Sequence, residues 1–154
     1  MANICSYRIQ VKGKKQACYA FYGSIPVLDS KSILNESEDG DDYMIQFEGD
    51  CKWDVDMYTH SDEESPVFAL SDLPEDCDEA FDFGLDYWDI SLRSKSRIFN
   101  VDVICNSIDI DEPIYMNTLH YDCGDVFEMA YLDTPEEIRQ SDYEDMVCEF
   151  VSYQ

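Results

Sequence analysis

Residues 1–154 read as one α+β domain: a β-sheet with helices on one face, extended by additional β-hairpins. Three observations predict it. Strand-like and helix-like hydrophobic periods follow one another in the order β-α-β-β-α-β, with further strands after them. Short apolar-alternating runs are separated by turn residues at hairpin distances. Hydrophobic residues make up 45% of the chain and aromatics 14%, enough for one core at this length and too much for a disordered chain, although 35 residues are acidic and only ten basic.

Ile4–Val11 alternates, with Cys5, Tyr7, Ile9 and Val11 on one face and Ser6, Arg8 and Gln10 on the other, as a half-buried strand does. Lys12-Gly13-Lys14 turns the chain into a helix over Lys15–Tyr22, where Ala17, Cys18 and Phe21 fall at helical spacing; Gly23 and Pro26 end it. Asn35–Asp42 is polar and reads as a loop. Two strands follow, Tyr43–Glu48 and Cys51–Tyr58, joined by a tight turn at Gly49-Asp50. Thr59–Pro66 is a polar loop, and Ser71–Phe83 has helical character broken by Pro74.

Tyr87–Arg93 and Arg97–Cys105 read as a second hairpin around Ser94-Lys95-Ser96, and Ile108–Glu112 as a short alternating segment. Tyr115–Tyr121 and Val126–Leu132 read as a third hairpin around Asp122-Cys123-Gly124-Asp125. Thr134-Pro135-Glu136-Glu137 has the cap, the first-turn proline and the third-position Glu of a helix start, for a final helix running to about Phe150. A terminal strand over Val147–Tyr153 is the alternative.

The formal net charge is −25, and it is unevenly placed. Residues 1–31 hold five basic residues and one acid; residues 32–154 hold five basic and 34 acidic residues, a balance of −29. A small domain needs only about 2–8 net charges for solubility, and the surplus is self-repulsion that the fold must overcome. Duplex DNA carries about one charge per 1.7 Å of axis, so the net charge matches roughly 42 Å of duplex. Acids two apart on a strand point the same way about 6.6 Å apart, near the separation of successive phosphates.

The candidate partner-binding surface follows from that spacing. Asp54 with Asp56, Asp109 with Asp111, and Asp102 stand on the polar side of apolar-alternating segments, and Asp86 and Asp89 at the start of another strand. Loops contribute Glu36, Glu38, Asp39, Asp41 and Asp42, then Asp62, Glu63 and Glu64. The helical segments add Glu75, Asp76, Asp78 and Glu79, and Glu144, Asp145 and Glu149. Tyr58, Tyr87 and Tyr121 are candidate aromatic anchors at an interface.

Other chemistries find little support. Asn35-x-Ser37-x-Asp39-Gly40-Asp41 approaches a calcium loop, but Gln46 stands where a bidentate Glu is needed. His120 and Cys123 are two ligands, short of a four-ligand zinc site. The only histidines, His60 and His120, lie in or near acidic stretches, and no nucleophile or phosphate-loop motif accompanies them. Lys12, Lys14 and Lys15, and Arg93, Lys95 and Arg97, are basic clusters too small to hold nucleic acid against the remaining acid. Seven cysteines without a Cys-x-x-Cys pair suit buried thiols in a reducing compartment. No signal peptide and no run of about 20 apolar residues is visible.

The segments Met1-Ala2-Asn3-Ile4-Cys5-Ser6-Tyr7, Val11-Lys12-Gly13-Lys14-Lys15 and Gly49-Asp50-Cys51-Lys52-Trp53-Asp54-Val55 resemble a family of small uncharacterised proteins carried by phages, plasmids and other mobile elements of bacteria. The resemblance implies a ferredoxin-like antiparallel sheet and a mobile-element origin, and carries over no catalytic residue. The chain departs from an ordinary member in its density of acid after residue 35.

The expectation is a non-enzymatic, anti-CRISPR-type DNA mimic without cofactor or metal, acting in the host bacterial cytoplasm. Its partner would be a basic nucleic-acid-binding protein, a CRISPR effector first and a restriction nuclease second, with no direct nucleic-acid or membrane contact. The alternative is a ferredoxin-like interaction module whose acidity serves solubility or another basic partner.

Overall fold

β1 (Ile4–Gly13) lies between two partners in the sheet. The computed structural model describes residues 4–28, 30–52, 55, 72–87, 90–109 and 115–132. In β1 the side chains of Cys5, Tyr7, Ile9 and Val11 are all buried on one face, as the strand period requires. β1 pairs antiparallel with β3 (Asp42–Lys52) on one side and with β4 (Asp102–Asp109) on the other. β2 (Lys31–Asp39) adds outside β3, and β5 (Tyr115–Asp122) then β6 (Asp125–Leu132) add outside β4. The result is an α+β fold with a six-stranded antiparallel sheet in the order β2-β3-β1-β4-β5-β6. α1 (Lys15–Ser24) joins β1 to β2; α2 (Cys77–Gly84), a 3-10 turn (Leu85–Tyr87) and α3 (Leu92–Ile98) come between β3 and β4.

One buried apolar cluster joins all three helices to a single face of the sheet. Phe47 of β3 meets the rings of Tyr7, Phe21 and Tyr22 at 6.3, 6.5 and 4.9 Å, contacts worth about 0.5–1.5 kcal/mol each beyond area burial. α1 and α2 cross at small residues: a Cβ on Gly84 would overlap the Ala20 carbonyl oxygen, and one on Gly23 would overlap that of Phe81. α1 has no basic residue in its last turn, yet its end is capped by cations from elsewhere. Lys31 Nζ donates to Tyr22 O (2.7 Å) and Ile25 O (3.0 Å), and the fully buried Lys95 donates to Ser24 O (2.8 Å). Both place positive charge where the helix dipole favours it, at a desolvation cost that lowers the Lys31 pKa to about 8.

The opposite face of the sheet carries polar side chains beside the buried Met44 and Ile104. Gln46 Nε2 donates to Gln10 Oε1 (3.0 Å) between two buried side chains, and Arg8 Nε donates to Glu48 Oε2 (3.1 Å). The amide oxygen of Asn106, which sits opposite Arg8 in the β1–β4 register, is buried without a hydrogen-bond partner among the described residues.

Three sequence expectations are corrected. Asn35–Asp42 is not a loop: β2 runs to Asp39, and the hairpin turn is Gly40-Asp41, with Gly40 at φ 63°. The segment is polar because β2 is an outer strand of the sheet, exposed at Ser32, Leu34, Glu36 and Glu38. Gly49-Asp50 is not a turn: β3 continues through it, paired with Tyr7 and Ser6 of β1. Glycine is needed there for packing, since a Cβ would lie 2.6 Å from Tyr7 Oη and 2.8 Å from Ser30 O. The hairpin placed around Ser94-Lys95-Ser96 is instead α3, started by Ser91 Oγ accepting from Ser94 N (3.2 Å).

The helix expected over Ser71–Phe83 begins only at Cys77, past Pro74, with Asp76 as its cap. The last hairpin stands as expected, on a two-residue turn whose Cys123 and Gly124 both have positive φ (50° and 89°). Thr59–Pro66, most of Cys51–Tyr58 beyond Lys52, residues 110–112 and the C-terminal helix or strand lie outside the described residues. All six described cysteines are free thiols, four of them buried.

Replacing Gly84 by Ala will force α1 and α2 apart and cost about 3 kcal/mol or more. Replacing Gly40, which has no neighbour within 4 Å of a new Cβ, will cost only the left-handed backbone strain of about 1–2 kcal/mol. Urea unfolding of the two variants measures the difference.

Alkali tests the buried thiol. Burial, then the charge of Asp42, pushes Cys18 from its ordinary 9.0 up to about 12. A raised acid pKa favours the fold fully below pH 9, and that contribution is lost as pH rises towards 12. Lys31, lowered, acts in the opposite sense. Cys18→Ala will therefore lose less stability than the wild-type chain between pH 9 and 12, by roughly 2–4 kcal/mol at about 1.4 per unit, as read from denaturant midpoints across that range.

Candidate acidic interface

The densest described acid is on α2 and its flanks. Asp72, Glu75, Asp76, Asp78, Glu79, Asp82 and Asp86 are all exposed, and residues 72–87 contain no Lys or Arg. Asp76 caps the helix, accepting from Asp78 N (2.9 Å) and Glu79 N (3.1 Å) through Oδ1. Asp78 and Glu79 in the first turn are favoured by the dipole, whereas Asp82 near the end is not. Asp78 and Asp82 are four residues apart and so share a helix face about 6 Å apart, with Asp86 four residues further on in the 3-10 turn. Leu85, 47% exposed, stands beside them.

Sheet register gathers a second set. Lys12 of β1 is opposite both Met44 of β3 and Asp102 of β4; Asp102 is opposite Asp122, and Asp122 opposite Asp125. Asp39 pairs with Asp42 at the β2–β3 turn beside the same end of β1. One end of the sheet thus carries acids from residues 38–42, 102 and 122–125, far apart in the chain, across about 24 Å at ~4.8 Å per strand. The end is divided: Lys12, Lys14 and Lys15 separate the β2–β3 acids from the β4–β6 acids.

Several carboxylates are held by partners other than Lys or Arg. Glu36 Oε1 accepts from the hydroxyls of Tyr19 and Tyr43 (3.0 Å for Tyr43), and the two rings stack at 6.4 Å. Burial, then that hydrogen bond, pushes both tyrosine pKa values up. Asp102 Oδ1 lies 2.6 Å from His120 Nε2. Phe127 of β6 stacks on the His120 ring at 5.1 Å and is 65% exposed.

Of the sequence candidates, Glu36 and Glu38 are on β2 two residues apart, so they have the spacing expected of strand acids although they were expected in a loop. Asp41 is in the turn, Asp42 opens β3, and Asp39 closes β2. Asp102 is on the polar side of β4, between buried Val101 and Val103, as expected. Asp109 closes β4. Asp86 is in the 3-10 turn after α2, not at the start of a strand. Asp54, Asp56, Asp62, Glu63, Glu64, Asp89 and Asp111 lie outside the described residues.

Tyr121, expected as an anchor, is 1% exposed in the core, and Tyr87 is packed on Phe83 and Phe99. Tyr58 is outside the described residues. Phe127 is the exposed aromatic that sequence reasoning missed; the two-residue register of β6 gives no sign of it, because the β5–β6 pairing shifts between His120 and Tyr121. His120 is in β5, within the strand expected over Tyr115–Tyr121, while Cys123 in the turn donates to Asn100 Oδ1 (2.9 Å). Among the described residues no three His, Cys, Asp or Glu side chains gather as a metal site, and no helix is long and apolar enough to cross a membrane.

Because like charges face each other at Asp102–Asp122 and Asp122–Asp125, added salt will stabilise the fold. Raising NaCl from 0.01 to 0.15 M shortens the screening length from about 30 to 8 Å and will raise the melting temperature by several degrees, as read by calorimetry; an unchanged or lower value would show these acids too far apart to repel.

Compared with known proteins, the chain matches no family model, no curated protein and no solved structure.

Proposed function

We propose that this protein is a non-enzymatic mimic of the nucleic-acid backbone that occupies the basic groove of a bacterial defence nuclease, a CRISPR effector first and a restriction enzyme second. The carrying observation is the exposed, base-free acidic run of residues 72–87, with Asp78 and Asp82 about 6 Å apart on one face. A groove of Lys and Arg that releases counterions when it binds phosphates would release them equally to a fixed array of carboxylates. Long-range attraction between a −25 chain and such a groove would also speed the encounter. Phe127, stacked on the His120 ring that meets Asp102, supplies an aromatic of the kind that anchors interfaces.

The reading extends to origin and fold. The strand order β2-β3-β1-β4, with helices crossing between β1 and β2 and between β3 and β4, supports a ferredoxin-like core to which β5 and β6 are added. The sequence resemblance to mobile-element proteins supports a phage or plasmid source and action in the host cytoplasm. The second reading is a ferredoxin-like interaction module whose acidity serves solubility or another basic partner. It is favoured by the spread of acid over α2 and one sheet end alike, and by the lysines that interrupt the latter.

Competition decides between them. Asp78→Asn/Asp82→Asn/Asp86→Asn will weaken inhibition of DNA cleavage by a CRISPR effector at least about tenfold while leaving the melting temperature unchanged or higher. Inhibition by the wild-type chain will also fall steeply between 0.05 and 0.2 M salt. Simultaneous binding of this protein and target DNA to the same nuclease molecule would refute mimicry.

A further inference from the structure

On the polar face, where β2, β3 and β1 run side by side, the surface opens into a cleft of about 240 Å³. Gly49 lies between Glu48 and Asp50 at its base, and Tyr7 and Ser30 also line it. Its walls carry Ser6 and Arg8 from β1, Glu48 and Asp50 from β3, and Ser32 from β2.

Asp50 accepts from Ser30 N through Oδ1 (3.3 Å), whereas Arg8, Glu48, Ser6 and Ser32 are only partly used. Arg8 engages Glu48 through Nε alone, at 3.1 Å. Among the described residues its two terminal nitrogens donate to nothing, and neither do the hydroxyls of Ser6 and Ser32. The second carboxylate oxygen of Glu48 is likewise unengaged among the described residues. A planar guanidinium edge matches a carboxylate with two parallel hydrogen bonds. A carboxylate oxygen a few ångströms away matches an ammonium.

We propose that this cleft binds a small zwitterion of the α-amino-acid type. Its carboxylate rests on the terminal nitrogens of Arg8 and the serine hydroxyls, and its ammonium on the second carboxylate oxygen of Glu48. The net charge of −25 disfavours a free anion in this cleft. A free anion such as phosphate is repelled at long range, whereas a zwitterion adds no net charge and keeps the short-range pairing. The site uses none of the acids on α2 or at the turn end of the sheet, and stands or falls apart from the mimicry reading.

The test is a titration of the full chain with L-serine at constant ionic strength, followed by amide ¹H–¹⁵N chemical shifts. Saturable shifts confined to Ser6, Arg8, Ser32, Gly49 and their neighbours are expected. Acetate alone and ethylamine alone will shift them far less at the same concentration. Arg8→Gln will weaken binding by at least about tenfold. Ser32→Ala, which leaves the Arg8–Glu48 pair in place, will weaken it a few-fold with an otherwise unchanged spectrum, so that loss of binding is separable from loss of folding. The proposal is overturned if L-serine gives no saturable shift in the cleft, if acetate alone matches it, or if both variants bind as the wild-type chain does.

Discussion

The backbone contact between α1 and α2 is the constraint on which the acidic surface depends. Gly84 meets the carbonyl of Ala20, and Gly23 meets that of Phe81, with no room for a side chain at either point. This approach sets Ala80 and Phe81 against α1 and turns Asp78, Glu79 and Asp82 outward. A helix whose exposed side is almost wholly acidic cannot be stable through its own side-chain pairs. It is held by its buried stripe, and the stripe is narrow, so the fit has to be close. The interior of α1 in turn rests on Phe47, which gathers Tyr7, Phe21 and Tyr22 around one ring.

Charge is the opposing force, and the fold tempers it locally. Asp76 is used as a helix cap, Glu36 is bonded by two tyrosine hydroxyls, and Asp102 by His120. Each satisfies a carboxylate with a donor other than Lys or Arg. The surface therefore stays anionic while these acids are fixed in position. A few cations have structural partners: Lys31 and Lys95 close the end of α1, and Arg8 pairs with Glu48 on the sheet, while Lys14, Lys15, Lys52, Arg93 and Arg97 are exposed and none falls within residues 72–87.

How much was legible in the chain can be argued element by element. β1, α1 and the β5–β6 hairpin were readable because each carries a strong local signal: strict alternation, helical spacing ended by glycine, and a two-residue turn with glycine. β2 was not, because an outer strand needs no apolar face and its polar run looks like a loop. Gly49-Asp50 looks like a turn for a reason that is tertiary, since the glycine exists to admit Tyr7. α3 was missed because Lys95, a residue that reads as solvent-facing, is fully buried with its ammonium on Ser24 O. For the candidate interface, the outward placement of Asp102 followed from its buried neighbours Val101 and Val103, but the exposure of Phe127 followed from a register shift.

By itself, the sequence determined the fold class, the sign and strength of the charge, its loading after residue 31, and the short elements whose periods are local. These are properties of composition and of neighbours a few residues apart, and they are set before any long-range contact forms. Only the tertiary structure decided which acids stand together. Asp39 and Asp42 come to the same end of the sheet as Asp102, Asp122 and Asp125 because of strand register, and α2 faces solvent with its acids because two glycines let it lie on α1. Register and helix crossing are fixed by packing between residues tens of positions apart, and no local pattern encodes them.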